Sequence, residues 1–397
     1  MRYDEQLEKG FPSIHPMDDS ITTILAKYNA YVNTSRYIRT IDYVVNIIYN
    51  TCMKPDMSQE SLDQINAELE RIFKRELTKA EGIHPSYARL WEAIRTIALA
   101  GGKRLRPRLL LQIAGRNDEA VIKIAVAHEL LHIATLIHDD IIDNDEVRHG
   151  KKNLIGLYKD IYAETNGVDI GHFARSMALL GGDLLLSHAH RLIAESELEP
   201  STIEKLQELL YRSVFEVIGG QLMDTEAPFM SDYYDPITVY KYKTSSYSFV
   251  GPILSGATIA ALDGSTTTAL EEYANALGVA FQLRDDDLGV FGDSSLTGKS
   301  TSQDLREGKK TRLIELFKEK ASETELAAFM ASFGSHEASD DAIQALRDML
   351  ISSGARATHD ALIGEYLDRS LAAITSIPEP LHGWLDAFAH QNADRRL

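Results

Sequence analysis

The sequence is short of several residues and patterns that would point to common protein classes. It holds one cysteine, Cys52, in 397 residues, so no intrachain disulfide and no cysteine-clustered zinc site can form, and the expected compartment is reducing and cytoplasmic. No run approaches the roughly 18 consecutive apolar residues of a membrane span, and the opening MRYDEQLEKG lacks the basic start and apolar stretch of a signal peptide. No stable membrane insertion is therefore expected. Basic residues are in deficit, with 41 Lys and Arg against 59 Asp and Glu, a net charge of −18. Nucleic acid, which is gripped by clustered basic surface, is thereby excluded as a partner, and any anionic ligand needs cations gathered locally. Fixed-period repeats and low-complexity tracts are missing, and alternating strand-like runs are scarce.

What is present is helix after helix. Apolar residues recur at three- and four-residue steps through 20–50, 60–78, 86–99, 107–145, 171–196, 201–226, 236–262, 267–292, 310–332, 340–353 and 356–376, which predicts an all-α bundle. Breaks fall where composition shifts, at KPDMSQ, TNGVDIG, APFMSDYYDP, GDSSLTGKSTSQ and FGSHEASD. Residues 1–80 carry no chemical cluster and are expected to be a helical N-terminal extension, engaged in packing or in a dimer interface.

Against that background the stretch LLHIATLIHDDIIDNDEVRHGKKN stands out. Helical spacing puts Asp139 and Asp143 on one face with Asp140 beside them, and His132 joins the stripe about two turns earlier. Leu130, Leu131, Ile133, Leu136, Ile137, Ile141 and Ile142 surround these carboxylates with core-type side chains, and unpaired carboxylates are costly there. An EF-hand is excluded because the glycine and alternating ligands of its loop are missing. Magnesium suits the pattern, since it takes one or two protein carboxylates, keeps waters and completes its shell with phosphate oxygens. A second polar stripe, Gln282, Asp285 and Asp286, lies in VAFQLRDDDLGVFGD, and two such clusters favour a diphosphate held through several metal ions. Direct cations are also on offer. In ALAGGKRLRPRLLL, Gly101 and Gly102 permit a tight backbone before Pro107, placing Lys103, Arg104 and Arg106 beside an expected helix start at that proline. Arg148, Lys243 with Thr244, Lys299 and Lys309 follow helix ends near the acidic clusters.

GGKRLRP, HDDIID followed by RHG, GGQLMD, KTSSYSF, FQLRDDDLG and GKSTSQDLREGKKT occur in an order and spacing that resembles the trans-prenyltransferases, the polyprenyl diphosphate synthases, over roughly residues 85–395. The resemblance implies an orthogonal bundle of long helices around a central cavity, the isoprenoid synthase fold, with 81–397 as the catalytic domain of a homodimer. It implies an enzyme that joins isopentenyl diphosphate to an allylic diphosphate with several Mg2+ ions, Mn2+ being an alternative. Asp139, Asp140 and Asp143 then match the first metal-binding motif, and Asp285 and Asp286 the second. Lys103, Arg106 and His132 match the isopentenyl diphosphate pocket, while Arg148, Lys243 and Lys299 match contacts to the allylic diphosphate. Thr244, Gln282, Gln221 and Asp224 match polar residues around the reacting centre, and Lys309 is a further cation for substrate. The fifth residue before the first motif, Ala134, is expected with Thr135 and Leu131 to set chain length. A small residue there implies a product of twenty carbons or longer, geranylgeranyl diphosphate first among them. Two departures stand out: Gly289 replaces the third aspartate of the second motif, leaving Asp287 or Asp293 to compensate, and His149 replaces a second arginine. A non-catalytic partner subunit would show eroded aspartates, and a terpene cyclase would leave GGKRLRP unexplained.

Overall fold

The computed structural model describes residues 59–148, 150–229, 235–292 and 302–393. The helix expected at 20–50 and the site candidates His149 and Lys299 lie outside these residues, as does Asp293. The described residues belong to one compact unit, Cys52–Leu397.

In chain order the helices are α1 Gln59–Glu81, α2 Pro85–Ala98, α3 Leu105–Ala114 and α4 Glu119–Ile142, then α5 Leu154–Ile161, α6 Ile170–Ala194, α7 Pro200–Glu226 and α8 Pro236–Val239. A π-helix, Tyr240–Val250, runs directly into α9 Gly251–Ile259. The C-terminal part holds α10 Gly264–Phe291, α11 Gln303–Glu307, α12 Arg312–Lys320, α13 Glu323–Met330, α14 Asp340–Ser352, α15 Ala355–Ala373 and α16 Leu381–Ala393. Among the described residues the sole strands are a short antiparallel pair, β1 Val147–Arg148 with β2 Lys151–Lys152. The all-α expectation thus holds.

Helix starts follow local chemistry. Asp118, Asn153, Asp169, Asp235, Asp263 and Ser339 each accept a hydrogen bond from a backbone N–H in the first turn of the following helix, and Ser322 with Glu325 forms a capping box. Three expectations need correction. The span 310–332 is two helices, because Ala321 is extended and Ser322 starts α13. The continuous helix at 107–145 is two helices, because Gly115 adopts a left-handed φ of 66° that ends α3 and Asp118 starts α4. Helix α3 also begins at Leu105, two residues before Pro107.

Helix α4 is the central rod. It is long and apolar enough to cross a membrane by length and composition, yet 72% of its apolar window is buried inside the protein, so it serves as a core helix. Its Val121, Ile124, Ala127, Leu130, Leu131, Ala134 and Ile137 pack in one cluster with Ile65, Leu69, Ile72 and Phe73 of α1 and with Ala174, Ala178, Leu185 and Ala189 of α6. Part of the stretch expected as an extension is thus inside the same core as the helix that carries the first acidic motif. A smaller cluster around Leu313, Phe317, Phe329 and Leu346 supports the C-terminal end of α10 through Val290.

Candidate active site

The site forms at the C-terminal end of α4. Asp143 caps that helix, its N–H bonded to the Asp139 carbonyl at 2.8 Å, so three carboxylates crowd the end where the helix dipole is already negative. Cations from other elements offset this. Arg148 on β1 reaches Asp140 Oδ1 with Nε at 2.8 Å and Asp139 Oδ2 with Nη2 at 2.9 Å. Lys243 on the π-helix lies 3.4 Å from Asp139 Oδ1 and 2.5 Å from Asp224 Oδ2 on α7. Burial opposes charge on Asp139, but Lys243 and Arg148 outweigh it and hold the carboxyl below its ordinary range. Burial wins at Asp140, 3% exposed, and pushes it up to about 6 despite Arg148. Burial likewise opposes charge on Lys243, and Asp139 and Asp224 overcome it, so the ammonium is held above the usual lysine range.

The π-helix owes its position to two glycines. A side chain at Gly220 on α7 would collide with the Lys243 backbone nitrogen, and one at Gly278 on α10 would collide with Ser245. Side-chain-free spots on both neighbours therefore admit the wider coil of a π-helix, a form that concentrates at functional sites. The neighbouring Gly219 has open space where a Cβ would go.

The second acidic cluster, on α10, splits in three directions. Asp285 is half-buried. Asp286 accepts from Tyr240 Oη and, at 3.1 Å, from Gln282 Nε2; burial pushes its carboxyl up to about 8 although both bonds favour the charged form. Asp287 pairs with Arg356 at 3.0 Å and lies 3.6 Å from Arg284. Both oxygens of Asp286 are thus engaged, and Asp287 is held by Arg356 and Arg284. The space at Gly289 is filled by another carboxylate: a side chain there would collide with Asp304, which also binds Lys309 at 2.9 Å. Thr244 Oγ1 donates to Gln282 Oε1 at 2.8 Å, joining the π-helix to α10.

The basic loop divides its labour. Gly101 and Gly102 have φ of 108° and 140°, which glycine alone tolerates without strain. Arg104, expected to face a ligand, instead turns inward, bonded to Glu129, the Ala98 carbonyl and Asn66 at 2.8, 2.8 and 3.1 Å. Lys103 is exposed. Arg106 is 9% exposed, donates to Ser248 Oγ at 2.5 Å and stacks 4.6 Å from the centre of the Tyr247 ring. Its Nε makes no hydrogen bond, and among the described residues no carboxylate lies within ion-pair distance of its guanidinium. The His132 ring lies 6.0 Å from that of Tyr247. A buried guanidinium facing hydroxyls and aromatic rings is suited to an anionic ligand. Gln221 is half-buried, one turn before Asp224 on α7.

Sequence reasoning missed Tyr240, Tyr247, Ser248 and Asp304. Tyr247, Ser248 and Asp304 lay inside quoted motifs and Tyr240 three residues before one, but their partners are distant in the chain, such as Asp286 for Tyr240. Of the chain-length candidates, Ala134 and Leu131 are fully enclosed in the core, whereas Thr135 keeps accessible surface.

The residues present suit a hard divalent cation. Asp139 Oδ1 is buried and accepts no hydrogen bond, and the surrounding donors are carboxylates. Among the described residues no three acidic or imidazole side chains converge as a cage, an arrangement compatible with a magnesium ion completed by water and phosphate oxygens.

The family described as polyprenyl synthetase matches residues 88–350. A short chain isoprenyl diphosphate synthase from Methanocaldococcus jannaschii is 35% identical over 57% of this chain, a match that spans 65% of that relative, just under two thirds of its length. A geranylgeranyl diphosphate synthase from Saccharolobus solfataricus is 31% identical over 75% of this chain and 86% of its own. The crystal structure of geranylgeranyl pyrophosphate synthase from Corynebacterium glutamicum, complexed with isoprenyl diphosphate and magnesium, superposes with a TM-score of 0.79 at 29% identity, covering 86% of this chain and all of that one.

Proposed function

Because the chain belongs to the polyprenyl synthetase family, we propose that it is a chain-elongating trans-prenyltransferase that condenses isopentenyl diphosphate with an allylic diphosphate and releases diphosphate. One observation carries the assignment of the two substrates: the anion-binding groups fall into two chemically different sets. Arg148 and Lys243 are interleaved with Asp139, Asp140 and Asp224, whereas Arg106 is buried with no carboxylate in ion-pair reach among the described residues. The carboxylate-rich set suits a diphosphate held through metal, and the other suits one held by protein cations alone.

Asp139, Asp140 and Asp143 from one side and Asp285 from the other would hold magnesium, several ions per site, with manganese able to substitute, while Asp286, whose oxygens accept from Tyr240 and Gln282, stands behind Asp285. When bound, the metal neutralises charge building on the leaving diphosphate. Lys243 and Arg148, joined by Lys299 and Lys309, bind the allylic diphosphate as its carbon–oxygen bond breaks and the electron pair departs with the leaving group. Arg106, Lys103, His132 and His149 hold isopentenyl diphosphate so that its double bond supplies the electrons of the new carbon–carbon bond. The proton then lost passes to the departing diphosphate, so no side chain is nominated as general base. Thr244, Gln282 and Gln221 surround the allylic cation, and the apolar wall of α4 keeps water from quenching it. Gly289, the departure that would favour a non-catalytic partner subunit, has an acidic neighbour in Asp304 that keeps a third carboxylate on this side of the site.

The accessible, non-aromatic Thr135, together with the geranylgeranyl diphosphate synthases among the relatives, supports a product of twenty carbons or longer. A homodimer is supported by Tyr211, Phe215, Ile218 and Leu222, which form one apolar stripe along α7 and are each at least half exposed, with Leu179 and Leu180 of α6 exposed likewise. Stripping divalent ions with a chelator and restoring magnesium tests the reading: diphosphate release from the mixed substrates should stop and return, and release that continues unchanged in the chelator would contradict it.

A further inference from the structure

We propose that Tyr240 is a positioning residue for this reaction: through Asp286 it fixes the amide of Gln282 and so aims the Thr244 hydroxyl. The inference rests on the prenyltransferase reading above. Four hydrogen bonds in series carry it. The backbone N–H of Arg312, in the first turn of α12, donates to Tyr240 Oη at 2.7 Å. Tyr240 donates to Asp286 Oδ2, Gln282 Nε2 donates to Asp286 Oδ1 at 3.1 Å, and Thr244 Oγ1 donates to Gln282 Oε1 at 2.8 Å.

The Arg312 N–H is the one member that can only donate, and that sets the direction of the chain. With its oxygen occupied as acceptor, the phenol turns its hydrogen toward Asp286. When ionised, Asp286 accepts on both oxygens and draws the NH2 side of Gln282, which leaves the amide oxygen for Thr244. The threonine hydrogen is thereby committed to Gln282, and its lone pairs remain for a positive centre on the other side. The N–H at the head of the chain is one that α12 leaves unpaired in any case. Tyr240 and Asp286 are both nearly fully buried, so water does not compete for these bonds. Tyr240 touches no reacting atom in this scheme and acts through Gln282 and Thr244.

The test is a double-mutant cycle on the full chain with magnesium, isopentenyl diphosphate and an allylic diphosphate. Tyr240→Phe and Thr244→Val should each lower kcat about tenfold, the worth of one hydrogen bond to a charged or developing charged group, with both KM values within about twofold. The double variant should be no slower than Thr244→Val alone, because both changes cut the same chain. Effects that multiply to about a hundredfold, or an unchanged kcat in Tyr240→Phe, overturn the inference. If Tyr240→Phe does not fold, Asp286→Asn takes its place in the cycle. It should show the same non-additivity and an unaltered half-saturating magnesium concentration; a raised magnesium requirement makes Asp286 a metal ligand and overturns the inference. A wild-type chain that forms no product overturns the proposed reaction and this inference with it, whereas an active wild type with additive variants overturns the inference alone.

Discussion

Asp139 concentrates the conflict at the residue scale. It is a carboxylate at the negative end of a helix, beside two others, and is kept charged by Lys243 and Arg148. Asp139→Asn or Asp285→Asn should therefore lower turnover by on the order of 100- to 1000-fold while circular dichroism melts show an intact bundle, since each change removes a stabiliser of the leaving group rather than a core contact. Near-normal turnover at saturating magnesium in either variant would count against these ligands. Lys243→Ala should slow allylic ionisation more than it weakens isopentenyl diphosphate binding; the reverse pattern in single-turnover kinetics would place Lys243 in the other pocket. Much at this scale was legible in advance, because the spacing of Asp139, Asp140 and Asp143 is local information and core-type neighbours marked them as costly. Spacing alone placed Arg104 and Arg106 together beside the helix start, and only the family resemblance singled out Arg106; that Arg104 turns inward depends on Glu129 and Asn66, brought near only by folding.

Among the elements, the π-helix decides the geometry, holding Lys243 and Thr244 on one turn and Tyr247 and Ser248 on the next. Gly220→Ala should push this helix off α7, destabilising the protein by about 1–3 kcal/mol and lowering kcat, while Gly219→Ala, with open space around it inside α7, should leave kcat unchanged and raise stability by about 0.5–1 kcal/mol. Equal melting temperatures and rates in the two variants would remove the argument for Gly220. Along α4, the enclosed Ala134 and the accessible Thr135 make opposite demands. Thr135→Phe should shorten the product with the fold intact, whereas Ala134→Phe has to displace core neighbours before it reaches the prenyl tail. If Ala134→Phe alone shortens the product without loss of thermal stability, then Ala134 lines the tunnel as its motif position implied. Periodicity predicted the long helices well, but a π-helix leaves no such trace, and an unbroken apolar pattern across Gly115 hid the start of α4. Helices α5, α11 and α16 escaped notice; α5 and α11 are short, whereas α16 at 13 residues is as long as α14. For α5 the Asn153 cap was a usable signal, whereas α16 docks through its Leu385 carbonyl, which accepts from Tyr273 Oη at 2.8 Å.

For the whole molecule, a charge of −18 and an exposed apolar stripe on α7 bear on assembly together. Like charge keeps copies apart except where apolar area is gained, so the stripe is the face expected to pair. The unaltered chain should sediment as the proposed dimer and Phe215→Glu with Ile218→Glu as a monomer, and an unchanged sedimentation coefficient would count against this face as the interface. The stripe could be read as helical spacing from the sequence, but not as exposed, because exposure depends on where α6 and α9 lie. The central claim is that the two anion sites join a five-carbon unit to an allylic chain. Sizing the products after incubation of the purified chain with magnesium, isopentenyl diphosphate and, in turn, dimethylallyl, geranyl or farnesyl diphosphate tests it most directly. The account predicts prenyl diphosphates extended in five-carbon steps and ending at twenty carbons or beyond; primers recovered unextended, or converted to cyclic hydrocarbons, would contradict it.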